Sequence, residues 1–443
     1  GLSNDRGYLP HLEGRGLARF FWGMSERNKM EDPISHFRLA MKDYKAATVM
    51  DSERGKAWLN SALINMHWGV HRQAQGKEGT PYFETALLEL EEASRRSPDL
   101  VQIGLAEGNI HMHLGLHRQQ RGENPEEKYQ QAMTVLNKVI EEDPNHFQGW
   151  SNRATVRYYW ANYWANQGRK RVEETEDLFE KAIADFGEAL KLNPPLIRLW
   201  SDRGQTKLGW AEFRNSLGKN PLNLYHAAIR DFQQATQLNP KISSSVTRLA
   251  MAMGKVAIYQ IRKGVDPGLQ YEKAMRIFHQ ALKLNPRNAE CWGGRANIVR
   301  EYATFVLFQK DKEPEKLFAS AIRDYTEALK INPSMYPYLL KRCQVRLALA
   351  QLFGRRGKSS KEVKASLDGA LKDANELVKK KPKWYQAWTM RAAVETGIAV
   401  HRNRMGEDPS QHFQQALTDY GKSLALRPGR PTTLISRATT YVE

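Results

Sequence analysis

Three histidines within seven residues are the first feature of this sequence that suggests chemistry. They are His111, His113 and His117, in the stretch HMHLGLHRQQRGENP. If the stretch is helical, His113 and His117 share a face, because residues four apart have Cβ atoms about 5–6 Å apart. Imidazole nitrogens bind zinc at about 2.0–2.1 Å, so such a pair would be half of a metal site. The interpretation depends on whether this stretch is unique in the chain.

The composition limits the class of protein. The chain has 443 residues, 41% of them hydrophobic, but no apolar run near the ~20 residues that cross a bilayer. Its two cysteines, Cys291 and Cys343, argue against a disulfide scaffold and fit a reducing compartment, which favours the cytoplasm. The net charge is +18, and residues 341–383 contribute +9 of it, from 13 Lys/Arg and 4 Asp/Glu. Such an excess suggests acidic partners or nucleic acid.

A repeat of 46–50 residues runs through the whole chain. Its most regular position, which we call the anchor, is proline in eight of nine copies. Alanine always stands twelve residues before the anchor, an aromatic residue mostly eight before, and a small residue always ten after. Tryptophan often stands six after. The anchors are Ser52, Pro98, Pro144, Pro194, Pro240, Pro286, Pro333, Pro382 and Pro428.

These spacings predict two helices per repeat. Residues 12, 8 and 5 before the anchor share one helix face, and the anchor proline ends that helix. The next helix carries the tryptophan and the small residue on one face, which suits close packing. Tips such as GENPEEKY and GKNPLNLY place a glycine at the end of this helix and a proline at the start of its partner. Most tryptophans, including Trp22, fall on repeat positions and are expected in the core.

The pattern resembles the tetratricopeptide (TPR) repeat. The resemblance lies in the tryptophan, the small residue four later, and then Ala-x3-Phe/Tyr-x2-Ala-x4-Pro, as in Ala182, Phe186, Ala189 and Pro194. TPR repeats have about 34 residues, so the longer period predicts longer helices and tip loops. The resemblance implies an all-α, right-handed superhelical α-solenoid of about nine helix-turn-helix units plus an unpaired terminal helix.

We expect a single solenoid over residues 1–443. Its last helix, 429–443, has no polar cap, which repeat proteins normally carry. We therefore expect the chain to be part of a larger protein, with self-association through the uncapped ends as an alternative. The expected units are 7–52, 53–98, 99–144, 145–194, 195–240, 241–286, 287–333, 334–382 and 383–428.

The repeat changes the interpretation of the histidines. His71, His117 and His401 all stand nineteen residues after an anchor, and His67 and His113 both stand fifteen after. The opening stretch is thus an ordinary helix end, and we predict neither metal nor cofactor. One alternative remains open, a metal site formed across neighbouring helices by His67, His71, His113 and His117.

Arginine recurs nine residues after the anchor, and aspartate recurs nine before it. The preferred interpretation is a ladder of two-pronged Arg–Asp pairs between consecutive helices. The alternative is a row of ligand-binding arginines. The arginines are Arg153, Arg203, Arg295, Arg342, Arg391 and Arg437, and the aspartates are Asp43, Asp185, Asp231, Asp324, Asp373 and Asp419.

The sequence predicts a protein that is not an enzyme. HExxH, GxSxG, CxxC and GxGxxG are all missing. The stretch GRRGKSSK (354–361) fails as a phosphate loop because Leu352 stands where the first glycine is required. Catalysis could still reside in a flanking domain, which is an analogy only.

In TPR proteins the first helix of each unit lines a concave groove, whose polar side chains bind extended peptides. The resemblance therefore implies a partner-binding row at eleven and fourteen residues after the anchors, where amides can both donate and accept hydrogen bonds. The alternative is a merely solvated face. The row consists of Asn109, Thr155, Tyr158, Gln205, Asn297, Arg300 and Gln344.

The basic stretch supplies a second candidate surface, for an anion or an acidic partner, unless it is only a solvated face. We predict a protein–protein interaction scaffold that binds a protein or peptide segment, within a larger, bacterial-type multidomain protein. A filament subunit and a nucleic-acid-binding repeat protein are the alternatives. Nucleic acid is disfavoured because the inner row lacks a consistent pair of base-reading side chains. The basic residues are Arg355, Arg356, Lys358, Lys361, Lys364, Lys379, Lys380 and Lys381.

Overall fold

The computed structural model describes residues 9–28, 32–98, 101–309 and 312–442. These ranges contain nineteen α-helices, one 3₁₀ turn (Val306–Phe308) and no strand, so the predicted all-α fold is confirmed. The helices are α1 (Leu9–Asn28), α2 (Ile34–Met50), α3 (Gly55–Ala74), α4 (Thr80–Arg96), α5 (Val101–Gln120), α6 (Glu126–Glu142), α7 (Phe147–Asn166), α8 (Val172–Leu192), α9 (Ile197–Ser216), α10 (Leu222–Leu238), α11 (Ser243–Arg262), α12 (Gly268–Leu284), α13 (Ala289–Phe305), α14 (Pro314–Ile331), α15 (Tyr336–Arg355), α16 (Ser360–Lys380), α17 (Tyr385–Arg404), α18 (Ser410–Leu426) and α19 (Pro431–Val442).

The helices form nine consecutive pairs, from α1–α2 to α17–α18, and α19 follows them unpaired among the described residues. We call the odd-numbered member of a pair the first helix and the even-numbered member the second helix. A typical first helix, such as α7, has 20 residues, and its partner α8 has 21. The helices thus carry most of the repeat, as predicted, and the tip loop of this pair, for which extra length was also predicted, consists of residues 167–171.

The chain divides into two compact units, which we call the N-terminal unit (1–231) and the C-terminal unit (232–443). In the N-terminal unit a buried cluster around Phe83 joins α3, α4 and α5. In the C-terminal unit a cluster around Phe278 joins α11, α12 and α13. Each cluster links a helix pair to the first helix of the next pair, as expected for a stacked array.

The repeated small and aromatic residues form this core. All nine alanines twelve residues before the anchors are 0% exposed, from Ala40 to Ala416. The small residues ten after the anchors allow the helices to approach closely: a Cβ at Gly108 would lie 2.7 Å from Cγ of Leu136. Ala438 occupies the same position in α19 but is exposed, because no described helix packs on it.

The recurring tryptophan closes the turn at the anchor. Its indole Nε1 donates a hydrogen bond to the anchor's carbonyl oxygen, over 2.7–3.2 Å, in five turns of the described chain. A proline anchor has no N–H, but its carbonyl can accept this bond. The donors are Trp58, Trp150, Trp200, Trp292 and Trp388, which are all partly buried.

The prediction that Trp22 belongs to the core is wrong, because its side chain is 61% exposed. In a later repeat the equivalent Trp160 packs 6.1 Å from Tyr129, which comes from the second helix of the preceding pair. The residues before Leu9 lie outside the described part of the chain, so no described helix occupies this place beside Trp22. Trp22 instead stacks on His36 with ring centres 4.6 Å apart.

The tips follow the predicted chemistry. Gly122 has a φ of +78°, and the next residue, Glu123, donates its N–H to the carbonyl oxygen of Arg118 over 2.9 Å, which ends α5. The side chain of Asn124 then accepts the N–H of Glu126 at 3.0 Å and starts α6. Gly218, Gly264 and Gly406 repeat this arrangement. No helix in the described ranges is long and apolar enough to cross a membrane.

Candidate functional site

The predicted Arg–Asp ladder is confirmed. In five helix pairs the arginine Nε and Nη2 each donate to one carboxylate oxygen of the aspartate, over 2.6–3.0 Å. The aspartates are at most 3% exposed. These guanidinium groups are therefore engaged in structure. The pairs are Arg153–Asp185, Arg203–Asp231, Arg295–Asp324, Arg342–Asp373 and Arg391–Asp419.

Three of these aspartates, Asp185, Asp231 and Asp373, also bind a second cation, and so does Asp43, whose first partner is Arg15. The sequence pattern alone did not predict this second cation. The cation stands four residues after the arginine, one helical turn later, and reaches the same carboxylate over 2.5–2.7 Å. Burial lowers the pKa of Arg157 and of Lys207, and the neighbouring carboxylate opposes that shift. Each such site thus holds one more positive charge than negative. The second cations are Arg19, Arg157, Lys207 and Arg346.

The α3–α4 pair replaces this ion pair by a different arrangement. Glu89 stands at the aspartate position and Ser61 at the arginine position. Ser61 Oγ and Asn65 Nδ2 donate to the two oxygens of Glu89 at 2.7 and 2.8 Å. Burial raises the pKa of Glu89, and the hydrogen bonds from Ser61 and Asn65 and the charge of Lys45 oppose that shift only in part. This pair therefore keeps a hydrogen-bonded acid without the arginine, whereas Val135 and Ile277 stand at the acid position of the α5–α6 and α11–α12 pairs.

The structure brings the predicted row together within the N-terminal unit. Asn109, Thr155 and Gln205 are half-buried at equivalent positions of α5, α7 and α9, and each of these first helices contacts the next. Gln205 Nε2 donates to the hydroxyl of Tyr158 at a long 3.5 Å. Thr155 Oγ1 donates to the carbonyl oxygen of Ser151 at 2.8 Å and keeps its capacity to accept. The amide of Asn109 has no hydrogen-bond partner among the described residues.

In the C-terminal unit, two side chains of the predicted row bind other residues of the same unit. The buried Tyr325 donates its hydroxyl proton to Asn297 Oδ1 over 2.7 Å. Arg300 Nη2 binds the carboxylate of Glu301 at 2.5 Å. Gln344 is exposed and has no hydrogen-bond partner in the described chain. Gln344 is thus the residue of this unit's row best placed to meet a partner.

The four histidines of the metal alternative each have their own surroundings. The His67 ring lies 5.3 Å from Phe20, and its Nδ1 is 3.3 Å from Arg27 Nη1. His113 stacks on Phe83, with ring centres 5.9 Å apart. His71 Nε2 is 3.6 Å from Asp32, and His117 Nε2 is 3.1 Å from Glu78. Within the described ranges no group of three or more His, Cys, Asp or Glu side chains is arranged to hold a metal ion.

Burial lowers the pKa of two of these histidines, His67 and His113. It lowers the pKa of His67 to about 3, and the charge of Arg27 contributes. Burial, again with Arg27, lowers the pKa of His113 to about 4. Both rings are therefore neutral at neutral pH and pack as aromatic side chains.

The basic stretch forms two separate clusters rather than one surface. Arg355, Lys358 and Lys364 lie at the tip where α15 ends and α16 begins, whereas Lys379 lies at the far end of α16. Fifteen residues of helix separate Lys364 from Lys379, roughly 22 Å. Arg356 and Lys361 belong to the tip cluster, and Lys380 and Lys381 belong to the far one.

The two clusters differ in their neighbours. At the tip, Arg356 Nη1 binds Glu315 at 2.5 Å, and the other four cations are exposed. At the far end, a shallow cleft of about 650 Å³ is lined by Lys380, Lys381, Tyr336 and Trp384, among others. Lys381 Nζ lies 4.7 Å above the Tyr336 ring.

The contacts between helices define the architecture of the chain. First and second helices pack as pairs over the invariant alanines, and within each unit a first helix contacts the first helix of the next pair. The chain folds as a TPR-like array of helix pairs. A family model for the protein prenyltransferase alpha subunit repeat matches residues 129–160, which lie in α6 and α7 of this TPR-like array. No curated protein matches the sequence.

Solved structures resemble the TPR-like chain at low identity. TTC0263, a TPR protein of Thermus thermophilus, is 17% identical with a TM-score of 0.36, over 54% of this chain and 98% of its own. Pseudomonas aeruginosa PilF is 17% identical with a TM-score of 0.36, over 65% and 97%. A monomeric mutant of IFIT1, solved with m7Gppp-AAAA, is 17% identical with a TM-score of 0.47, over 99% and 86%. These TM-scores carry no information about a ligand.

Proposed function

We propose that the TPR-like array is a non-catalytic scaffold whose first helices bind an extended peptide or protein segment. The observation that carries this proposal is the amide row of the N-terminal unit. Asn109 has no partner in the described chain, Gln205 has only one long hydrogen bond, and both stand on first helices of one continuous stack. Amides of this kind can pair with the N–H and C=O groups of a peptide backbone.

The spacing of the helices suits this ligand. Packed helices lie about 8–10 Å apart, whereas an extended chain advances about 3.3 Å per residue. One polar side chain per first helix therefore meets an extended peptide every second or third residue. The three helices α5, α7 and α9 would engage about six residues.

We further propose that acidic segments are preferred. The second cations of the ion-pair sites supply surplus positive charge on the first helices, and two of them, Arg157 and Lys207, stand on the same first helices as Thr155 and Gln205. A surplus of one sign accelerates association with an oppositely charged partner and makes binding sensitive to salt.

A phage-displayed random peptide library tests the proposal. The full chain should select peptides rich in Asp and Glu, and their affinity should fall as salt rises. The double variant Asn109→Ala/Gln205→Ala should bind a selected peptide at least tenfold more weakly in fluorescence anisotropy. Asn297 is left unchanged, because its loss would leave the Tyr325 hydroxyl without its partner.

The matched control is Gln130→Ala/Gln233→Ala, which removes two exposed amides from second helices. It should bind as the unchanged chain does. Failure to select any peptide, or equal loss in both double variants, would contradict the proposal.

A further inference from the structure

A cavity of about 460 Å³ opens at the tip between α15, α16 and α17 of the C-terminal unit. Its polar lining includes Arg355, Lys358, Ser360, His401 and Arg404. Two of these, His401 and Arg404, lie outside the basic stretch that the sequence singles out. The cavity therefore joins cations from two segments about 45 residues apart.

The cations at the rim form no ion pair in the described chain, although the charge of Glu362 acts on one of them, Lys358. Arg355, Lys358 and Arg404 are all exposed, and none of them forms an ion pair there. The nearby acid Glu362 is used in the cap of α16, where Ser359 Oγ donates to it over 2.7 Å. Another, Glu407, pairs with Arg402 at 3.3 Å. The rim thus carries uncompensated positive charge.

Other tips show that this charge is a departure from the repeat. The residue eighteen before the anchor is glutamate in three repeats, where it binds a cation from the tip of the next first helix. In α16 the same position holds Lys364, so the sign is reversed. The ordinary pairs are Glu126–Arg171 at 3.1 Å, Glu176–Lys219 at 3.2 Å and Glu315–Arg356 at 2.5 Å.

Further groups favour an anion in this cavity. Ser360 Oγ and His401 Nε2 lie 3.0 Å apart at its edge. The N-terminus of α16, a helix of 21 residues, begins at Ser360 and directs its positive dipole end toward this edge. Gly354 also lines the cavity, next to the guanidinium group of Arg404.

The cavity also has an apolar floor. Val363 and Leu367 of α16 contribute to it, together with Ala393 and Val400 of α17. Val363 and Leu367 are already buried, but Ala393 and Val400 are only half-buried. A ligand with an apolar body would remove their remaining surface from water, whereas a bare inorganic ion would not. The volume lies in the range of small-molecule sites, which is about 300–1,000 Å³.

We propose that this cavity binds a phosphate monoester that carries an apolar body. The phosphate has a charge of about −1.5 to −2 at neutral pH and accepts hydrogen bonds from the guanidinium groups of Arg355 and Arg404 and from Lys358. The apolar body of the ligand covers the apolar floor of the cavity. A phosphorylated aromatic side chain and a mononucleotide share this chemistry. The proposal is independent of the amide row.

Isothermal titration calorimetry of the full chain at low salt tests it, with phenyl phosphate, adenosine monophosphate and inorganic phosphate as probes. At least one ester should bind saturably and at least fivefold more tightly than inorganic phosphate. A preference for phenyl phosphate would indicate a phosphorylated side chain as the source, and a preference for adenosine monophosphate would indicate a nucleotide. If neither ester binds saturably, the proposal is overturned.

Two variants and two controls locate the binding. Lys364→Glu introduces the acid that three other tips carry and should weaken binding of the preferred ester at least tenfold, as should Arg404→Gln. Lys372→Glu makes the same charge change at an exposed site on α16, and Arg171→Gln removes a paired tip cation. Both controls should bind within twofold of the unchanged chain. Equal losses in variants and controls would show general electrostatic attraction and overturn the site.

Discussion

The guanidinium carbon of Arg203 lies 4.8 Å from the centre of the Trp200 ring. The same guanidinium holds Asp231 through two hydrogen bonds, of 2.9 and 2.7 Å. Residues three apart on a helix are neighbours, so the tryptophan covers the ion pair from one side. The arrangement recurs at Trp150–Arg153, Trp292–Arg295 and Trp388–Arg391, with distances of 4.7–5.1 Å. It explains why the two residue types recur together.

Removal of one buried aspartate should therefore destabilise the fold strongly. Asp185→Ala leaves Arg153 and Arg157 without their counter-charge, which should lower the free energy of unfolding by about 3–5 kcal/mol. Urea denaturation measures this loss. In the control Asp177→Ala, which breaks an exposed pair with Lys181 on the same helix, the loss should stay below about 1 kcal/mol. Similar losses in the two variants would contradict the structural role of the buried carboxylate.

The lowered pKa values of His67 and His113 predict a loss of stability in acid. The unfolded chain binds protons at these rings below the ordinary pKa of 6.5, whereas the folded chain binds them only near pH 3–4. The contribution of these two rings to the free energy of unfolding is thus fully present above pH 6.5. It falls as the pH decreases, by roughly 1–2 kcal/mol per histidine at pH 5.

Melting temperatures between pH 7.5 and pH 4.5 test this dependence. The double variant His67→Phe/His113→Phe keeps the aromatic packing and should show a shallower fall than the unchanged chain. The exposed His279→Phe serves as the control and should leave the slope unchanged. If the double variant keeps the full slope, other groups cause the acid sensitivity.

Two glycines should respond in opposite directions to replacement by alanine. Gly218 ends α9 with a φ of +79°, a conformation that costs an L-residue roughly 1–2 kcal/mol. Gly187 lies inside α8, and a Cβ there meets nothing within 4 Å. Gly218→Ala should therefore destabilise the protein, and Gly187→Ala should stabilise it by roughly 0.5–1 kcal/mol. Thermal melting distinguishes the two, and the same sign for both would refute the assignment.

Features that recur at fixed offsets could be predicted from the sequence. Nine copies of one alanine position leave little freedom about which helix face is buried, and the pairing of Arg153 with Asp185 follows from their offsets from the anchors. The turns at the tips could also be predicted, because the residues that define such a turn, Gly122 and Asn124, lie within three residues of sequence.

Features that depend on a distant partner could not be predicted. Asn297 has the residue type and the offset of a groove amide, but Tyr325, 28 residues later, uses its oxygen. In the sequence, Lys364 is one of several lysines in a basic run. Its position matters only because glutamates at the same position of other repeats bind cations at the tip of the next first helix. Trp22 obeys the repeat, but no described helix occupies the place from which Tyr129 covers the equivalent Trp160. In each case the deciding neighbour lies on another helix.

The indole hydrogen bond at the anchor has a consequence for folding kinetics. It joins residues only six apart, so a turn such as Pro144–Trp150 forms without waiting for distant segments of the chain. Low contact order of this kind favours fast folding, and repeat arrays can nucleate anywhere and propagate outward. Each of these turns can therefore fold as soon as the following helix leaves the ribosome, before the next repeat has been synthesised.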